Sequence, residues 1–346
     1  TETSMTVGWE TSQPATSEAA YGKAADVLTW VSGEEGSTFH TVVFENLEAD
    51  GAYFYQVRSR NEDGAQVQSD ILTFQTAVPD DTPFSFIVLS DTQSNPVNVA
   101  KQAEAAWMQR PHFVLVTGDL VSRGSEKHLW NVHFFRNMHP LISRVPLIPC
   151  LGNHDDDDPA YYSYFSLPDP EYYYKFNYGN LDIFVVDSER PLMRGSEQYQ
   201  WLDSALAAST ATWKIVGIHK AVYSSDEDDF GDTTIMRSFR GDIKLRALPE
   251  LYERHGVDIV WCGHIHSYER TYPLVQGKPV LDGGVVYMIT GGGGGGLEKA
   301  APWRSPFTAK VYSGHHYCLV NVFGPTMRIE SYTADGQLFD FLELRK

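Results

Sequence analysis

The sequence predicts an α/β domain preceded by a small all-β domain, and two observations support this. Residues 1 to about 78 consist of short segments in which apolar and polar residues alternate, separated by turn signals. From Phe84 onward, nearly continuous apolar runs alternate with helix-like stretches, as is typical of a sheet covered on both faces. The segment from Val78 to Pro83 contains two prolines and two acids and breaks the first pattern. We therefore place the domains at residues 1–78 and 83–346.

The first domain is predicted to be a small β-sandwich. Alternation and β-branched or aromatic residues predict its strands at 5–9, 38–44, 53–59 and 71–76. Glu62-Asp-Gly64 is expected to form a turn between two of them.

The second domain is predicted from apolar runs and helical periodicity. Its strands are expected at 84–89, 112–117, 145–149, 181–186, 213–217, 257–261 and 285–290, and its helices at about 97–109, 126–142 and 197–208. The tail from 317 to 344 returns to a β pattern, with Asp335-Gly336 as a hairpin turn.

The acidic composition limits the possible partners. The formal net charge is −18, and so acidic a surface repels a nucleic-acid backbone, so no nucleic-acid groove is expected. An enzyme acting on a small phosphorylated substrate would then need local positive charge, which metal ions supply. No apolar run approaches the ~20 residues that span a bilayer.

Cysteines and glycines receive structural interpretations. Cys150, Cys262 and Cys318 each lie in an apolar run and are expected to be buried small hydrophobes, with one disulfide as the alternative. The run Gly291–Gly296 matches a dinucleotide fingerprint formally, but no helix pattern follows it. We expect a mobile or closely packed loop after a strand.

Potential metal ligands follow five of the predicted strands. They are Asp91 and Gln93 after the first strand, Asp119 after the second, Asn153 after the third, His219 after Ile218, and His264 and His266 after Cys262. Ligands in sheets of this kind bind beyond the carboxyl ends of the strands, so we expect these side chains to converge. In the segment from His264 to His266, alternate residues of an extended chain face the same way and can aim two imidazoles at adjacent ions.

This inventory predicts a dinuclear centre. Seven ligands are too many for one tetrahedral zinc and suit two ions that share a bridging carboxylate. Mixed nitrogen and oxygen ligands without thiolate favour Mn, Fe or Zn.

The ordered set Asp-x-Gln, Gly-Asp, Gly-Asn-His-Asp, strand-end His and Gly-His-x-His resembles the calcineurin-like metallophosphoesterases, especially their purple-acid-phosphatase branch. The resemblance implies a metallophosphoesterase β-sandwich flanked by helices, preceded by a fibronectin III-like domain. By position, it implies that Asp91, Gln93 and His266 hold one ion, that Asn153, His219 and His264 hold the other, and that Asp119 bridges them. It further implies that His154 is the proton donor, that Asp155 orients it, and that Asn153 and His154 contact the substrate.

Three positions depart from the family pattern. Purple enzymes have a tyrosine three residues after the bridging Asp, where this chain has Ser122, so no tyrosinate colour is expected and a divalent pair is favoured, with Fe–Zn and Mn–Mn both open. Gln93 replaces a histidine found in many relatives. Where plant relatives place substrate-facing histidines, this chain has the acidic stretch 226–229, interpreted as a solvated loop or as a site for a cation or a cationic leaving group.

The predicted function is hydrolysis of phosphate monoesters. Water shared by two divalent ions ionises near neutral pH and would supply the attacking hydroxide, and His154 would protonate the leaving group. A phosphodiesterase or nucleotide hydrolase using the same site is the alternative, and an inert binding or adhesion protein is a third hypothesis. Lys220 and His316 are weaker candidates for phosphate contacts.

The predicted location is outside the cytoplasm. The chain begins at Thr1, and we expect an export signal to have been removed and the protein to be secreted or in the cell envelope. The sequence leaves the oligomeric state open.

Overall fold

The computed structural model describes residues 1–226, 241–299 and 304–346, and its N-terminal part is an all-β domain. In chain order its strands are β1 (Met5–Ala15), β2 (Glu18–Ala24), β3 (Val27–Ser32), β4 (Ser37–Phe44), β5 (Ala52–Arg60), β6 (Gln66–Gln68) and β7 (Leu72–Gln75). Strands β1 and β4 form one sheet, and β3, β2, β5 and β6 form another, with β7 beside β5. The two sheets share a core in which the rings of Phe44 and Phe74 stack 5.8 Å apart. The predicted all-β domain is confirmed, and its fibronectin-like type stays a prediction.

Strands β2, β3 and β6 were not predicted. The sequence of β2 contains three alanines and one glycine, which are depleted in strands. It forms a strand because β3 and β5 pair with it on either side and bond its backbone. Tertiary pairing has therefore overridden a weak local preference.

The second part of the chain alternates strands and helices. In order they are β8 (Phe84–Leu89), α1 (Pro96–Met108), β9 (Phe113–Val116), α2 (Lys127–Leu129), α3 (Arg136–Ile142), β10 (Leu147–Pro149), α4 (Pro159–Tyr164), β11 (Tyr174–Tyr178), β12 (Leu181–Val186), α5 (Glu197–Ala208), β13 (Trp213–Ile218), α6 (Leu248–His255), β14 (Ile259–Cys262), β15 (Tyr268–Thr271), β16 (Leu274–Val275), β17 (Lys278–Pro279), β18 (Val286–Thr290), β19 (Thr308–Tyr312), β20 (His316–Phe323), β21 (Thr326–Thr333) and β22 (Leu338–Arg345). Short 3₁₀ turns occur at Asn153–Asp155 and Ile243–Leu245. Each strand predicted for this part is present with small shifts at its ends, and so are the helices predicted at 97–109 and 197–208.

Two mixed sheets face each other across the main core. One has the order β10-β9-β8-β20-β21-β22, and the other has the order β11-β12-β13-β14-β18-β15-β19. Apolar side chains from both sheets, such as Phe86 and Ile215, fill the space between them. Helices α1 and α3 cover the outer face of the first sheet, and α5 and α6 cover the outer face of the second. The predicted β-sandwich flanked by helices is confirmed.

Local sequence explains how α1 begins. Asn95 accepts a hydrogen bond from the amide of Asn98 at 3.3 Å, and Pro96 occupies the first turn, where no amide donor is needed. The helix buries Val99, Ala103 and Ala106 on one face, at the spacing that helical periodicity requires.

The helix predicted at 126–142 is interrupted by a π-helical turn at Trp130–Phe135. The side-chain amide of Asn137 donates to the carbonyls of Val132 and His133, at 2.6 and 3.0 Å. These bonds satisfy carbonyls next to the irregular turn, and such turns occur frequently near functional sites.

The three cysteines are buried and free, as predicted, so the alternative of a disulfide is wrong. Within the described residues, the helices are all too short or too polar to cross a bilayer.

Candidate metal centre

All seven predicted ligands lie together beyond the carboxyl ends of parallel strands. Strands β8, β9 and β10 run parallel in one sheet, and β13 and β14 run parallel in the other. The segments that follow them carry the ligands, so residues far apart in sequence meet at one edge of the sandwich.

One group of side chains surrounds Asp119. Ligand atoms of Asp119, His219 and His264 lie within 4.8 Å of one another. Nε2 of His219 is 3.3 Å from Oδ1 of Asp119 and 3.0 Å from Oδ1 of Asn153. Asp119 and Asn153 thus bring two oxygen ligand atoms, and His219 and His264 bring two nitrogen ligand atoms, to the same place.

A second group shares Asp119 with the first. Ligand atoms of Asp91, Asp119 and His266 also lie within 4.8 Å of one another. The amide nitrogen of Gln93 is 3.2 Å from Oδ2 of Asp119 and 3.3 Å from Nε2 of His266. Asp119 therefore lies between two clusters of possible ligands, one on each of its oxygens.

Backbone carbonyls orient two of the imidazoles. Nδ1 of His219 is 2.9 Å from the Thr117 carbonyl oxygen, and Nδ1 of His266 is 2.8 Å from that of Gly296. A carbonyl only accepts, so each Nδ1 carries a hydrogen and each Nε2 is the ring nitrogen that faces the cluster. Metal-binding histidines are commonly held in this way.

Three of the predicted ligands have unusual backbone conformations. Asp91, Asp119 and His264 have φ angles of 58°, 53° and 69°, in the left-handed region that residues with a Cβ seldom occupy. Such conformations cost roughly 1–3 kcal/mol each and persist where the surroundings impose them, often at functional sites. Here the amide of His264 donates to both oxygens of Asp91, at 3.1 and 3.0 Å.

Asp155, which was predicted to orient the ring of His154, directs its carboxylate at backbone amides. The buried Asp155 carboxylate accepts hydrogen bonds from the backbone amides of Asp119, Leu120, Val121 and Gly152, at 2.8 to 3.3 Å. Asp155 therefore fixes the backbone that carries Asp119 and joins it to the segment that carries Asn153. Burial raises the pKa of the Asp155 carboxyl, and the amide donors oppose this rise.

His154 lies at the exposed edge of the site. Its Nδ1 is 3.1 Å from the carbonyl oxygen of Ser122, so Nδ1 carries a hydrogen and Nε2 is directed elsewhere. Its backbone amide donates to Oδ1 of Asp119 at 2.9 Å. The residue is thus tied at both ends to the segment that follows β9.

Mutual attraction shifts the pKa values of the buried pairs. Burial opposes ionisation of Asp119, but the charge and hydrogen bond of His219 outweigh it and lower the pKa of Asp119 to about 2. Burial also disfavours the charged form of His219, but Asp119 raises the pKa of this imidazole to about 10. For His266, burial is likewise outweighed by Asp91, and the pKa is raised to about 9. Asp119 is therefore ionised and attracts cationic charge.

The chemistry of these side chains fits a pair of divalent ions. Within the described residues, the buried Oε1 of Gln93 has no hydrogen-bond partner, and a half-turn of the amide would direct this oxygen at the cluster. Carboxylate, amide and imidazole donors form the mixed set that Mn, Fe and Zn accept. The shared carboxylate is the feature that a dinuclear site requires.

The glycine run supports the centre, a role that the sequence analysis missed. The amides of Gly294 and Gly295 donate to the carbonyl of Asp91 at 2.6 and 2.9 Å. A Cβ on Gly293 would lie 2.2 Å from the Ser90 carbonyl, and one on Gly295 would lie 2.4 Å from the His266 ring. The run is therefore a closely packed loop. Its position directly after a strand, β18, is the sequence signal that could have indicated this role.

The two weaker candidates for phosphate contacts both bond to other groups of the protein. His316 is buried, and its Nδ1 is 2.8 Å from the Gly314 carbonyl oxygen, so it is not placed to contact phosphate. Lys220 is nearly buried and bonds to Glu189 at 3.2 Å. Of the acidic stretch 226–229, only Asp226 is within the described residues, and it pairs with Arg304 at 2.9 Å.

Comparison with known proteins gives consistent matches to both parts of the chain. The family model described as "Calcineurin-like phosphoesterase" matches residues 84–268, and that described as "Purple acid Phosphatase, N-terminal domain" matches residues 1–76. "Probable purple acid phosphatase 20" of Arabidopsis thaliana is 26% identical over 87% of this chain and 74% of its own length.

Two further curated relatives carry different names. "Probable inactive purple acid phosphatase 24" of Arabidopsis thaliana is 24% identical over 79% of this chain, which spans only 50% of that relative. "Nucleotide pyrophosphatase/phosphodiesterase" of Hordeum vulgare is 24% identical over 68% of this chain and 72% of its own length.

Among solved structures, purple acid phosphatase PPD1 from yellow lupin (Lupinus luteus) seeds has the same fold. It superposes on the whole of this chain with a TM-score of 0.88 and 20% identity, and 72% of that chain is covered. The likeness therefore extends over both domains.

Proposed function

This chain belongs to the calcineurin-like phosphoesterases, a family of metal-dependent phosphoester hydrolases, and we propose that it hydrolyses phosphate monoesters at the centre described above. The observation that carries the proposal is that two groups of ligands share Asp119. A single structural metal would need only one of these groups.

We assign the ligands as the family resemblance implies. Asp91, Gln93 and His266 would hold one ion, Asn153, His219 and His264 the other, and Asp119 both. When bound, two such ions provide a nucleophile at neutral pH and neutralise the charge of the phosphate. Ser122 at the tyrosine position favours a divalent pair, Fe–Zn or Mn–Mn.

His154 is the proposed proton donor, and together with Asn153 it is the proposed contact to the substrate. The Ser122 carbonyl holds the hydrogen of Nδ1, so Nε2 of His154 is the atom that would protonate the leaving oxygen. A well-placed general acid of this kind is worth about 10²- to 10⁴-fold in rate.

The domain limits 1–78 and 83–346, and a location outside the cytoplasm, belong to the same proposal. The family matches at 1–76 and 84–268 support a boundary between them. The substrate, by this proposal, is a small phosphorylated molecule.

A phosphodiesterase or nucleotide hydrolase is the second candidate, because the barley relative carries that name. The negative charge of the stretch 226–229 would favour a diester, which carries less negative charge than a monoester. Because Asp226 pairs with Arg304, its negative charge is compensated, which weakens that argument. An inert protein is the third candidate, and the complete ligand set favours an enzyme.

The test compares p-nitrophenyl phosphate with bis-p-nitrophenyl phosphate, with metal content determined on the same samples. We expect about two transition ions per chain and faster cleavage of the monoester. His264→Ala should lose turnover and metal, whereas His255→Ala, on the distant α6, should retain both. Faster diester cleavage would favour the second candidate, and loaded protein inert on both substrates would contradict the proposed function.

A further inference from the structure

We propose that the N-terminal domain holds His154 in position through a clamp made of Glu10, Phe39, Lys127 and Tyr164. The proposal rests on the proposed function in one respect, namely that His154 donates a proton to the leaving group. Glu10 and Phe39 belong to the N-terminal domain, and Lys127 and Tyr164 belong to the catalytic domain. Glu10 is therefore a positioning residue, acting on the reaction through others.

The His154 ring depends on two loops that are bonded to each other. The amide of Gly124 donates to the carbonyl of His154 at 2.8 Å, and the amide of Ser125 donates to Oδ2 of Asp156 at 3.3 Å. The ring itself is held by the carbonyl of Ser122. A shift of either loop, 122–126 or 154–158, would therefore turn the imidazole.

The far ends of both loops meet at Glu10. The first loop leads into α2, whose first residue is Lys127, and the second leads into α4, whose last residue is Tyr164. Nζ of Lys127 is 2.7 Å from Oε1 of Glu10, and the hydroxyl of Tyr164 donates to Oε2 at 2.9 Å. The carboxylate of Glu10 thus binds both segments: Oε1 contacts the first and Oε2 contacts the second.

Phe39 completes the clamp from the neighbouring strand. Glu10 on β1 lies directly opposite Phe39 on β4 in the pairing register. The Phe39 ring meets the Tyr164 ring edge to face at 4.9 Å, and Nζ of Lys127 is 4.6 Å from its centre. Lys127 and Tyr164 therefore each contact both Glu10 and Phe39, which are paired on neighbouring strands of the N-terminal domain.

The clamp acts on His154 more than on the metal ligands. Asp91, His219 and His264 lie outside both loops, and the buried carboxylate of Asp155 holds the backbone of Asp119 through bonds to which Glu10 does not contribute. Loosening the clamp should therefore impair proton donation and leave metal content unchanged. Proton donation matters most for a substrate whose leaving group is a poor one.

The experiment compares Glu10→Ala and Phe39→Ala with the matched control Glu18→Ala. Glu18 is in the same domain and pairs with Arg58 at 2.8 Å, without contact to either loop. Turnover is measured on phenyl phosphate, a poor leaving group, and on p-nitrophenyl phosphate, a good one. We expect both clamp variants to lose roughly 3- to 10-fold in kcat on phenyl phosphate and less than about 2-fold on the other substrate.

Equal losses on both substrates, or the same pattern in Glu18→Ala, would overturn the proposal. Amide hydrogen exchange at Gly124 and Ser125 gives a readout that does not need activity, and we expect roughly tenfold faster exchange in the clamp variants alone. If the metal-loaded wild type is inactive, the proposed function fails, while the exchange rates still decide whether the clamp holds the loops. Unchanged exchange in both clamp variants would contradict it.

Discussion

Asp155→Asn tests whether the buried carboxylate holds the strand-end loops together. Oδ1 of Asp155 accepts from Leu120 and Val121, and Oδ2 accepts from Asp119 and Gly152. Asparagine has nearly the same shape but replaces one of these acceptor oxygens with an NH₂ donor. Two buried backbone amides would then lose their acceptor and face another donor.

The expected loss in the free energy of unfolding follows from the number of backbone amides left without a hydrogen-bond acceptor. Each buried unsatisfied donor costs about 1–3 kcal/mol, so two predict a loss of about 2–6 kcal/mol. Typical folded proteins are stable by about 5–15 kcal/mol, so the loss should be large. The left-handed conformation of Asp119 depends on the same amides, and metal content should therefore also fall.

Urea denaturation of metal-free protein measures the loss without a contribution from bound ions. Asp156→Asn is the matched control, since Asp156 is exposed and, among the described residues, accepts hydrogen bonds from Ser125 alone; it should cost less than about 1 kcal/mol. A loss below about 1 kcal/mol for Asp155→Asn would refute the reasoning, because it would mean that the four amides do not need two acceptor oxygens at this position.

Two further substitutions test the packing around the centre. Gly293→Ala would place a Cβ 2.2 Å from a backbone carbonyl oxygen, so it should lower the free energy of unfolding by about 1–3 kcal/mol and reduce the metal content. Gly296→Ala is the control, because its Cβ would meet open space, and it should change neither quantity. Burial lowers the pKa of His316 to about 4. Between pH 6.5 and 4 this imidazole is therefore protonated in the unfolded chain but neutral in the folded protein. The free energy of unfolding falls on acidification over this range, because the unfolded state binds more protons. His316→Gln removes this effect, so between pH 7 and 4.5 the wild type should lose about 2 kcal/mol more than the variant in urea denaturation, and equal losses would show that His316 titrates normally.

Sequence pattern was sufficient for the fold and for the convergence of the candidate ligands because both follow from local rules. Apolar runs such as 84–89 and 181–186 mark buried strands directly, and polar residues at the ends of parallel strands meet at one edge whatever the intervening sequence. Asp91, Asp119 and His264 could therefore be predicted to converge, although they are far apart in the chain.

The role of Asp155 could not be predicted in the same way. Its position beside His154 indicated a partner for the imidazole, but the 3₁₀ turn at Asn153–Asp155 directs its carboxylate into the protein, towards the amides that follow β9. The glycine run was likewise understood only as a loop, because its close contacts come from Ser90 and His266, which are distant in sequence.

The sequence by itself determined which residues could bind metal and at which end of the sheets, since strand periodicity and residue type are local properties. Tertiary structure alone decided what holds these residues in place: the amides around Asp155, the glycine loop beneath Asp91, and the contact of Glu10 with Lys127 and Tyr164. Each of these joins segments that no local pattern relates, because a hydrogen bond depends on distance in space and leaves no periodic trace in the sequence.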